Sequence, residues 1–288
     1  KKSEYDVVKI EEEGGRHLEA SEGTLAKWNR MIETVGKASD DTYYYMLQGK
    51  DADGKDDETI EPLLHIESFI DYMIINQYAG NTDWDYHNWY AVAHREDKSK
   101  GFRFLCWDSE QIFESSSDNV VPDNEGKNYP TGIFQALLKN DMFANRYLRR
   151  AQELLSDGGM LSERSVVQVW DSLYNVVSLA VYDESARWGD YRRDVHRYTS
   201  KGELYTVDNH YMKERNRLLT QYFPKRSAKV LKDIQTFIES ATGITGIKEI
   251  QTGANDNGDA NYYNLSGQRV LKPASGIYIH KGKKVVVK

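Results

Sequence analysis

A long apolar helix that ends abruptly in a polar loop is the feature of this sequence that most restricts its fold. Within residues 61–80, apolar side chains recur every three or four positions, Pro62 suits the first helical turn, and Gly80 suits the C-terminal end. The second half of the segment is nearly all apolar, so we expect a buried central helix. Two short β-type runs follow, at Trp89–His94 and residues 102–107, and the charged, glycine-ended stretch between them predicts a β-hairpin.

Most of the remaining chain has helical spacing. We predict helices at residues 25–35 and near 132–139, 141–156, 163–183, 185–197, 208–222 and 226–241. The valines, leucines and aromatic residues of 163–183 form a wide apolar face that we expect to lie in the core. The sequence thus predicts an α+β fold, mainly α-helical, with a connecting segment (1–60), a helical lobe (61–241) and a glycine-rich β tail (244–288).

Charge and cysteine content narrow the function classes. The chain has 38 lysines and arginines against 45 aspartates and glutamates, a net charge of −7, whereas a general nucleic-acid binder needs a basic face. No apolar run reaches the roughly 18 residues of a membrane span, so we expect no transmembrane segment. The single cysteine, Cys106, excludes an internal disulfide and a cysteine-based zinc cluster, and its apolar neighbours predict a buried, inert thiol.

Acidic and amide side chains surround the predicted hairpin in an order typical of protein kinases. Asp83 and Asn88 stand five positions apart in the polar loop, and Asp108 follows the second β run directly. Protein kinases place a catalytic Asp, a metal-binding Asn, two short strands and a metal-binding Asp in this order. Because a hairpin brings its ends together, both loops are expected to reach one Mg²⁺ cluster, which prefers oxygen ligands. We predict Asp83 as the base or hydroxyl-orienting residue. Asn88, Asp108 and Glu110 are the predicted metal ligands.

The same residues resemble the CotH kinase family, an atypical protein-kinase-like group that includes a spore-coat protein. The shared pattern is an apolar helix, a Gly-Asn-x-Asp loop, an Asn, and a strand ending in Trp-Asp-x-Asp/Glu. It is carried by Ile70-Asp-Tyr-Met-Ile-Ile-Asn76, Gly80-Asn-Thr-Asp83, Trp84, Asn88 and Phe104-Leu-Cys-Trp-Asp-Ser-Glu110. The resemblance implies a kinase-like C-lobe that uses Mg²⁺ and ATP to phosphorylate Ser or Thr of a secreted or surface protein. It also implies a catalytic role for Asp83 and a metal-binding role for Asp108.

Two departures from kinase patterns qualify this expectation. Glu110 stands where some family members carry a second Asp, and its longer side chain implies looser metal geometry. No glycine-rich phosphate loop and no assignable phosphate-binding Lys are present; the pair Gly14-Gly15 fits neither motif. Because the chain also opens on Lys1 without an initiator Met, we expect an internal part of a longer protein, holding the catalytic and metal half of the site and inactive alone.

The last 45 residues resemble the C-terminal sorting tail of exported Bacteroidetes proteins. The resemblance is carried by Tyr263-Asn-Leu-Ser-Gly-Gln-Arg269, Gly276-Ile-Tyr-Ile and the closing Gly-Lys-Lys-Val-Val-Val-Lys288. It implies an extracytoplasmic location, either secreted or on the outer surface.

Other interpretations of these residues remain open at the level of sequence. Asp83 can serve as a cap and Asp108 as a turn residue, and His87, without His or Cys partners at ligand spacing, suits hydrogen bonding better than metal binding. An aromatic cluster in the loop can stack on an adenine or on a sugar; it comprises Trp84, Tyr86, Trp89 and Tyr90. The alternative function is therefore a non-catalytic surface module that binds glycan or protein. A glycosidase pair, Asp83 with Asp85 or Asp108, is a weaker third option.

Overall fold

The computed structural model describes residues 4–95, 97, 100–196 and 202–244, and four short strands between residues 262 and 287. About 51% of the chain is helical, which confirms the expected α+β, mainly α, fold class. The chain divides into two compact units, Lys1–Lys248 and Glu249–Lys288. In the described part, no helix is both long and apolar enough to span a bilayer.

A four-stranded antiparallel sheet forms one side of the first unit. Its strands β1 (Tyr5–Glu11), β2 (His17–Glu22), β3 (Trp89–His94) and β4 (Arg103–Cys106) lie in the order β2-β1-β3-β4. In β3 and β4, Trp89 lies opposite Cys106 and Val92 opposite Arg103, so the predicted hairpin is confirmed. Alternate residues of β1, among them Val8 and Ile10, are buried on one face.

Helices make up most of the rest of the first unit. They are α1 (Ala26–Val35), α2 (Asp41–Met46), α3 (Ile66–Ala79), α4 (Pro130–Leu137), α5 (Asp141–Leu155), α6 (Glu163–Trp188), α7 (Tyr191–Asp194), α8 (Met212–Arg217) and α9 (Phe223–Thr242). Two π-helical segments, Val207–Tyr211 and Leu218–Tyr222, flank α8. The predicted helix at 185–197 is absent as such, because α6 continues to Trp188 and only the short α7 follows.

α3 is the buried central helix, as its apolar content predicted, but it begins at Ile66 rather than near Pro62. The preceding residues are held in extended form: the N–H groups of Leu63 and Leu64 donate to the carbonyl of Leu47, and Leu64 bridges to Phe102. His65 caps the helix, and its Nδ1 accepts from the N–H of Ser68 at 3.1 Å.

The apolar face of α6 does not lie in the core, which corrects the sequence expectation. No residue of α6 is buried; Leu173 is 57% exposed and Val176 is 78% exposed. Positions in the first half of the helix, such as Val166 and Trp170, pack against a small buried cluster formed by Leu218, Tyr222 and Phe223. Helical periodicity identifies an apolar face, but it does not show whether another element covers that face.

Residues 1–60 contribute directly to the unit that contains the helical lobe. β1 pairs with β3, from Tyr5 opposite His94 to Val8 opposite Ala91. Trp28 of α1 is fully buried, and its ring stacks on Trp89 with centroids 5.6 Å apart. The segment therefore forms half of the sheet and part of the core that supports the hairpin.

The second unit contains a small antiparallel sheet of its own. Its strands β5 (Tyr262–Tyr263), β6 (Arg269–Val270), β7 (Gly276–His280) and β8 (Lys283–Val287) lie in the order β6-β5-β7-β8. The short β runs predicted for this tail therefore occur as strands. The remaining tail residues that carry the resemblance to a sorting signal lie outside the described residues.

Candidate functional site

The loop after α3 is fixed to the end of that helix by two asparagines. Gly80 takes a left-handed conformation, with φ of 60°, and ends the helix. The side chain of Asn81 then donates to Asn76 Oδ1 and accepts from the N–H of Asp83, both at 3.1 Å. Because Asn76 and Asn81 are buried, the start of the loop that carries Asp83 is anchored to the core.

Asn88 joins the two acidic loops. Its Nδ2 lies 2.7 Å from the carbonyl oxygen of Asp83, 3.5 Å from Asp83 Oδ2 and 3.3 Å from the carbonyl oxygen of Asp108. All three neighbours are acceptors, so this orientation of the amide is the one that hydrogen bonding allows. The structure thus brings Asp83, Asn88 and Asp108 together, although Asp108 is 20 positions from Asn88 in the sequence.

Asp108 lies at the exit of β4 in an unusual backbone conformation. Its φ is 48°, in the left-handed region that non-glycine residues other than Asn and Asp seldom adopt. Such conformations cluster at functional sites, where the surrounding structure maintains them. Both Asp108 and Glu110 are exposed, so their carboxylates are open to a ligand from solvent.

Asp83 also has partners that the sequence did not identify. The Tyr86 hydroxyl donates to its carboxylate, and this hydrogen bond raises the pKa of Tyr86 to about 12. The guanidinium of Arg16, in the β1–β2 turn, lies 4.5 Å from the centroid of the Tyr86 ring. His87 lies between two carboxylates, with Nε2 4.0 Å from Asp83 Oδ1 and Nδ1 3.5 Å from Glu12 Oε1. The β1–β2 turn therefore approaches the loop on the Asp83 side.

Asp85 links the loop to α4, a role that the sequence analysis did not anticipate. Its carboxylate accepts from the N–H of Thr131 at 2.9 Å and from the Thr131 hydroxyl, and so ties the loop to the first turn of α4. Burial raises the pKa of Asp85 to about 6. A single buried acid beside a remote Thr leaves no periodic signal, so this contact could not be identified from the sequence.

The aromatic residues of the loop are less available than the sequence suggested. Trp84 is only 2% exposed and packs on Tyr72 with ring centroids 5.6 Å apart, and Trp89 is fully buried. This corrects the expectation that Trp84 contacts a cofactor, because a buried ring cannot stack on adenine or sugar. Tyr90 is half-buried, and its ring lies 5.4 Å from that of the exposed Trp107.

Cys106 is exposed as a residue, which corrects the prediction of a buried one. Its sulfur lies 3.6 Å from Asn76 Nδ2, and burial of the thiol group raises its pKa. The thiol therefore stays protonated at neutral pH, and its expected inertness stands as a prediction.

The donor chemistry at the site fits Mg²⁺, a hard cation that keeps several waters and takes only one or two carboxylates from protein. Asp108 and Glu110 supply exposed carboxylate oxygens. Asn88 adds an amide oxygen, because its Nδ2 is the atom that contacts the two acidic loops, and the residue is only 5% exposed. No group of three or more His, Cys, Asp or Glu side chains in the described part of the chain is arranged to hold a metal ion unaided. A cation here would need phosphate or water oxygens as well.

A comparison with known protein families identifies the family of this chain. The model of the CotH kinase protein family matches residues 2–230, which is most of the chain and includes both acidic loops. Comparison with curated proteins and with solved structures found no match. Since the family model covers far more than half of the sequence, the chain belongs to the CotH kinase family and is a kinase-like protein.

Proposed function

We propose that this chain carries the catalytic and metal-binding half of a site that transfers the γ-phosphoryl group of ATP to a Ser or Thr hydroxyl of a secreted or surface protein. The observation that carries the proposal is the Asn88 side chain, whose nitrogen contacts both Asp83 and Asp108. Phosphoryl transfer needs little covalent help from protein. It needs an aligned nucleophile and compensation of charge on the phosphates, both of which depend on fixed positions.

In this proposal Asp83 orients or deprotonates the hydroxyl group of the acceptor. The new bond joins the acceptor oxygen to the γ-phosphorus, the bond to the β–γ bridging oxygen breaks, and ADP leaves. The hydroxyl proton passes to the Asp83 carboxylate or is directed by it. The hydrogen bond from Tyr86 restricts the rotation of that carboxylate and so favours one orientation toward the acceptor.

The proposed metal ligands are Asn88, Asp108 and Glu110. Their oxygens would hold Mg²⁺, which neutralises charge on the β- and γ-phosphates when bound. The exposed position of Asp108 and Glu110 supports access by a metal–nucleotide complex from solvent. Trp84 has no place in this assignment, because it belongs to the core.

The protein is proposed to act outside the cytoplasm, on an extracytoplasmic acceptor. Support comes from the resemblance of residues 244–288 to a sorting tail. Cell fractionation of the native host, with and without deletion of these residues, tests the location. Retention of the wild-type protein in the cytoplasmic fraction would contradict it.

Calorimetry and a transfer assay on the full-length natural protein test the activity. Titration with ATP should give binding heat in the presence of Mg²⁺ and none with EDTA. Transfer of label from γ-labelled ATP to a Ser/Thr peptide library should follow the same dependence. Absence of both Mg²⁺-dependent binding and transfer would contradict the proposal.

The alternative of a surface module that binds glycan or protein now depends on Tyr90 together with Trp107, and no longer on Trp84. Trp107 is 58% exposed and lies edge-to-face with Tyr90 beside Asp108, so this pair offers the rings that Trp84 does not. A glycan array separates the two functions. Binding that disappears with Trp107→Ala but persists with Asp108→Asn would favour the module, and silence across the array would count against it.

A further inference from the structure

The C-terminal carbonyl groups of α3, directly before the loop that carries Asp83, are capped from a remote part of the chain. Helix ends leave their last carbonyls without intrahelical donors. Here the Arg226 guanidinium donates to the carbonyls of Gln77 and Tyr78, both at 2.6 Å. The Tyr222 hydroxyl lies 3.0 Å from the carbonyls of both Tyr78 and Ala79. Two side chains, Tyr222 at the end of the π-helical segment and Arg226 in the first turn of α9, thus hold the end of α3.

The same guanidinium holds the segment that follows Asp108. Arg226 Nη1 donates to the carbonyl of Asp118 at 2.6 Å and to that of Ser116 at 3.1 Å. Arg217 adds bonds to the carbonyls of Phe113 at 2.6 Å and Glu114 at 2.9 Å. The chain segments that flank both acidic loops are therefore hydrogen-bonded to one helical stretch, residues 217–226.

The burial of Arg226 is unusual for a charged residue. Its side chain is completely buried, and in the described part of the chain it is held by main-chain carbonyls and not by a carboxylate. A buried charge is costly unless it is well hydrogen-bonded. The negative end of the α3 dipole also favours a cation at this position. Gly80 completes the fit, because a Cβ there would lie 3.0 Å from Arg226 Nη2.

The π-helical segment Leu218–Tyr222 brings these side chains onto one face. In an α-helix, residues five positions apart point in different directions, whereas the wider π turn brings their directions closer together. Arg217 and Tyr222 are separated by five positions, and Arg226 follows by four, within an α-helical turn. The π-helical segment thus helps to bring Arg217, Tyr222 and Arg226 to the side of the helix where all three contact main-chain carbonyls.

We propose that Arg226 and Tyr222 are positioning residues for the phosphotransfer site, which set the relative placement of the Asp83 and Asp108 loops. This inference rests on the proposed function and assigns that site two residues more than 100 positions away in sequence. Neither residue contacts the reacting groups. Both act through the backbone at residues 77–79, and Arg226 also acts through residues 116–118.

Tyr222→Phe is the sharpest test, because it removes only the hydroxyl and keeps the buried ring. Tyr147→Phe is its matched control: Tyr147 is also fully buried, and its hydroxyl donates to the Gln77 side chain at 2.7 Å instead of to the helix-end carbonyls. In the full-length protein, Tyr222→Phe should lower kcat about tenfold with little change in KM for ATP, since misplaced groups impair the chemical step. Tyr147→Phe, at a similar loss of thermal stability, should leave kcat within about twofold of the wild type.

Variants of Arg226 provide a second test of the positioning role. Arg226→Lys keeps the charge and part of the hydrogen bonding, so its kcat should lie between those of the wild type and Arg226→Met. Amide hydrogen exchange provides a readout that needs no activity: residues 81–88 should exchange several-fold faster in Tyr222→Phe than in Tyr147→Phe.

The outcomes separate this inference from the proposed function. If wild-type protein transfers no phosphate, the proposed function fails. Amide exchange at residues 81–88 then still decides whether Tyr222 and Arg226 hold the loop in place. If transfer occurs but Tyr222→Phe and Tyr147→Phe behave alike in kcat and in exchange, the positioning role is wrong.

Discussion

The side-chain amide of Asn88 donates to the main-chain carbonyl of Asp108 at 3.3 Å, across the mouth of the β3–β4 hairpin. The same nitrogen lies 2.7 Å from the carbonyl of Asp83. One amide group therefore fixes the spacing of the two acidic loops. A small change in that spacing would alter the position of an acceptor hydroxyl relative to a metal–nucleotide complex, to which phosphoryl transfer is sensitive.

Replacing Asn88 tests this link. Asn88→Asp would place a carboxylate against two carbonyl oxygens and the Asp83 carboxylate, so it should destabilise the protein more than Asn88→Ala, although Asp is closer in shape. Urea denaturation at neutral pH gives the comparison, with an expected excess of about 1–3 kcal/mol for Asn88→Asp. Equal midpoints for the two variants would show that the amide does not face these acceptors.

Asp108→Asn tests the metal ligand without disturbing the backbone. Asn tolerates the left-handed conformation at this position, whereas Ala would add strain and confuse the result. The variant should fold normally and lose Mg²⁺-dependent ATP binding by calorimetry. Glu110→Gln, a similar change at a neighbouring exposed residue, should weaken binding less. Unchanged binding in Asp108→Asn would remove Asp108 from the metal site.

The contact between Tyr86 and Asp83 has a spectroscopic consequence. The carboxylate raises the pKa of Tyr86 to about 12, so Asp83→Asn, which removes the charge, should lower the pKa of Tyr86 toward its ordinary value of 10.0. NMR of ring-labelled tyrosine at pH 11 should then show Tyr86 mostly neutral in the wild type and mostly ionised in the variant. Tyr86→Phe assigns the signal. Identical titration in both proteins would contradict the hydrogen bond.

Asp85 should make stability depend on pH over a defined window. Burial raises the pKa of the folded-state carboxyl from 3.8 to about 6, so the folded protein retains a proton that the unfolded chain releases. The contribution of this carboxyl to the free energy of unfolding is greatest below about pH 4 and is lost as the pH rises through 6. Asp85→Asn should flatten this dependence by roughly 3 kcal/mol between pH 4 and 7. Parallel pH curves for wild type and variant would contradict it.

Gly80→Ala and Gly243→Ala form a matched pair for the fit against Arg226. Both glycines end helices with positive φ, so alanine at either site costs roughly 1–2 kcal/mol in backbone strain. An added Cβ has no neighbour within 4 Å at Gly243 but meets the guanidinium of Arg226 at Gly80. Thermal denaturation should therefore show a larger loss for Gly80→Ala. A loss no larger than that of Gly243→Ala would mean that the guanidinium moves aside freely.

Local patterns predicted the elements that frame the site. The hairpin was readable because β-type runs and a turn-rich connection are adjacent in sequence, and the convergence of Asn88 with Asp108 follows from the hairpin. The C-terminal end of α3 was readable because Gly80 is the residue best suited to a left-handed cap.

Contacts between distant segments were not predictable in this way. Arg226 lies 148 positions from Tyr78, and Thr131 lies 46 positions from Asp85, so no periodic pattern joins them. β1 was missed because only Val8 and Ile10 mark its buried face, with the polar Asp6 as the third inward residue. The exposed face of α6 was misassigned for the converse reason: its pattern was strong, but its neighbours in space were unknown.

The carbonyl cage around Arg226 bears on the response of the site to ionic strength. Exposed ion pairs such as Arg146 with Glu67 weaken as salt is added, because mobile ions reach solvent-exposed charges and screen them. A guanidinium that is sealed from solvent and held by peptide dipoles offers those ions no access. The spacing of the two acidic loops should accordingly be the same at low and at high salt concentration.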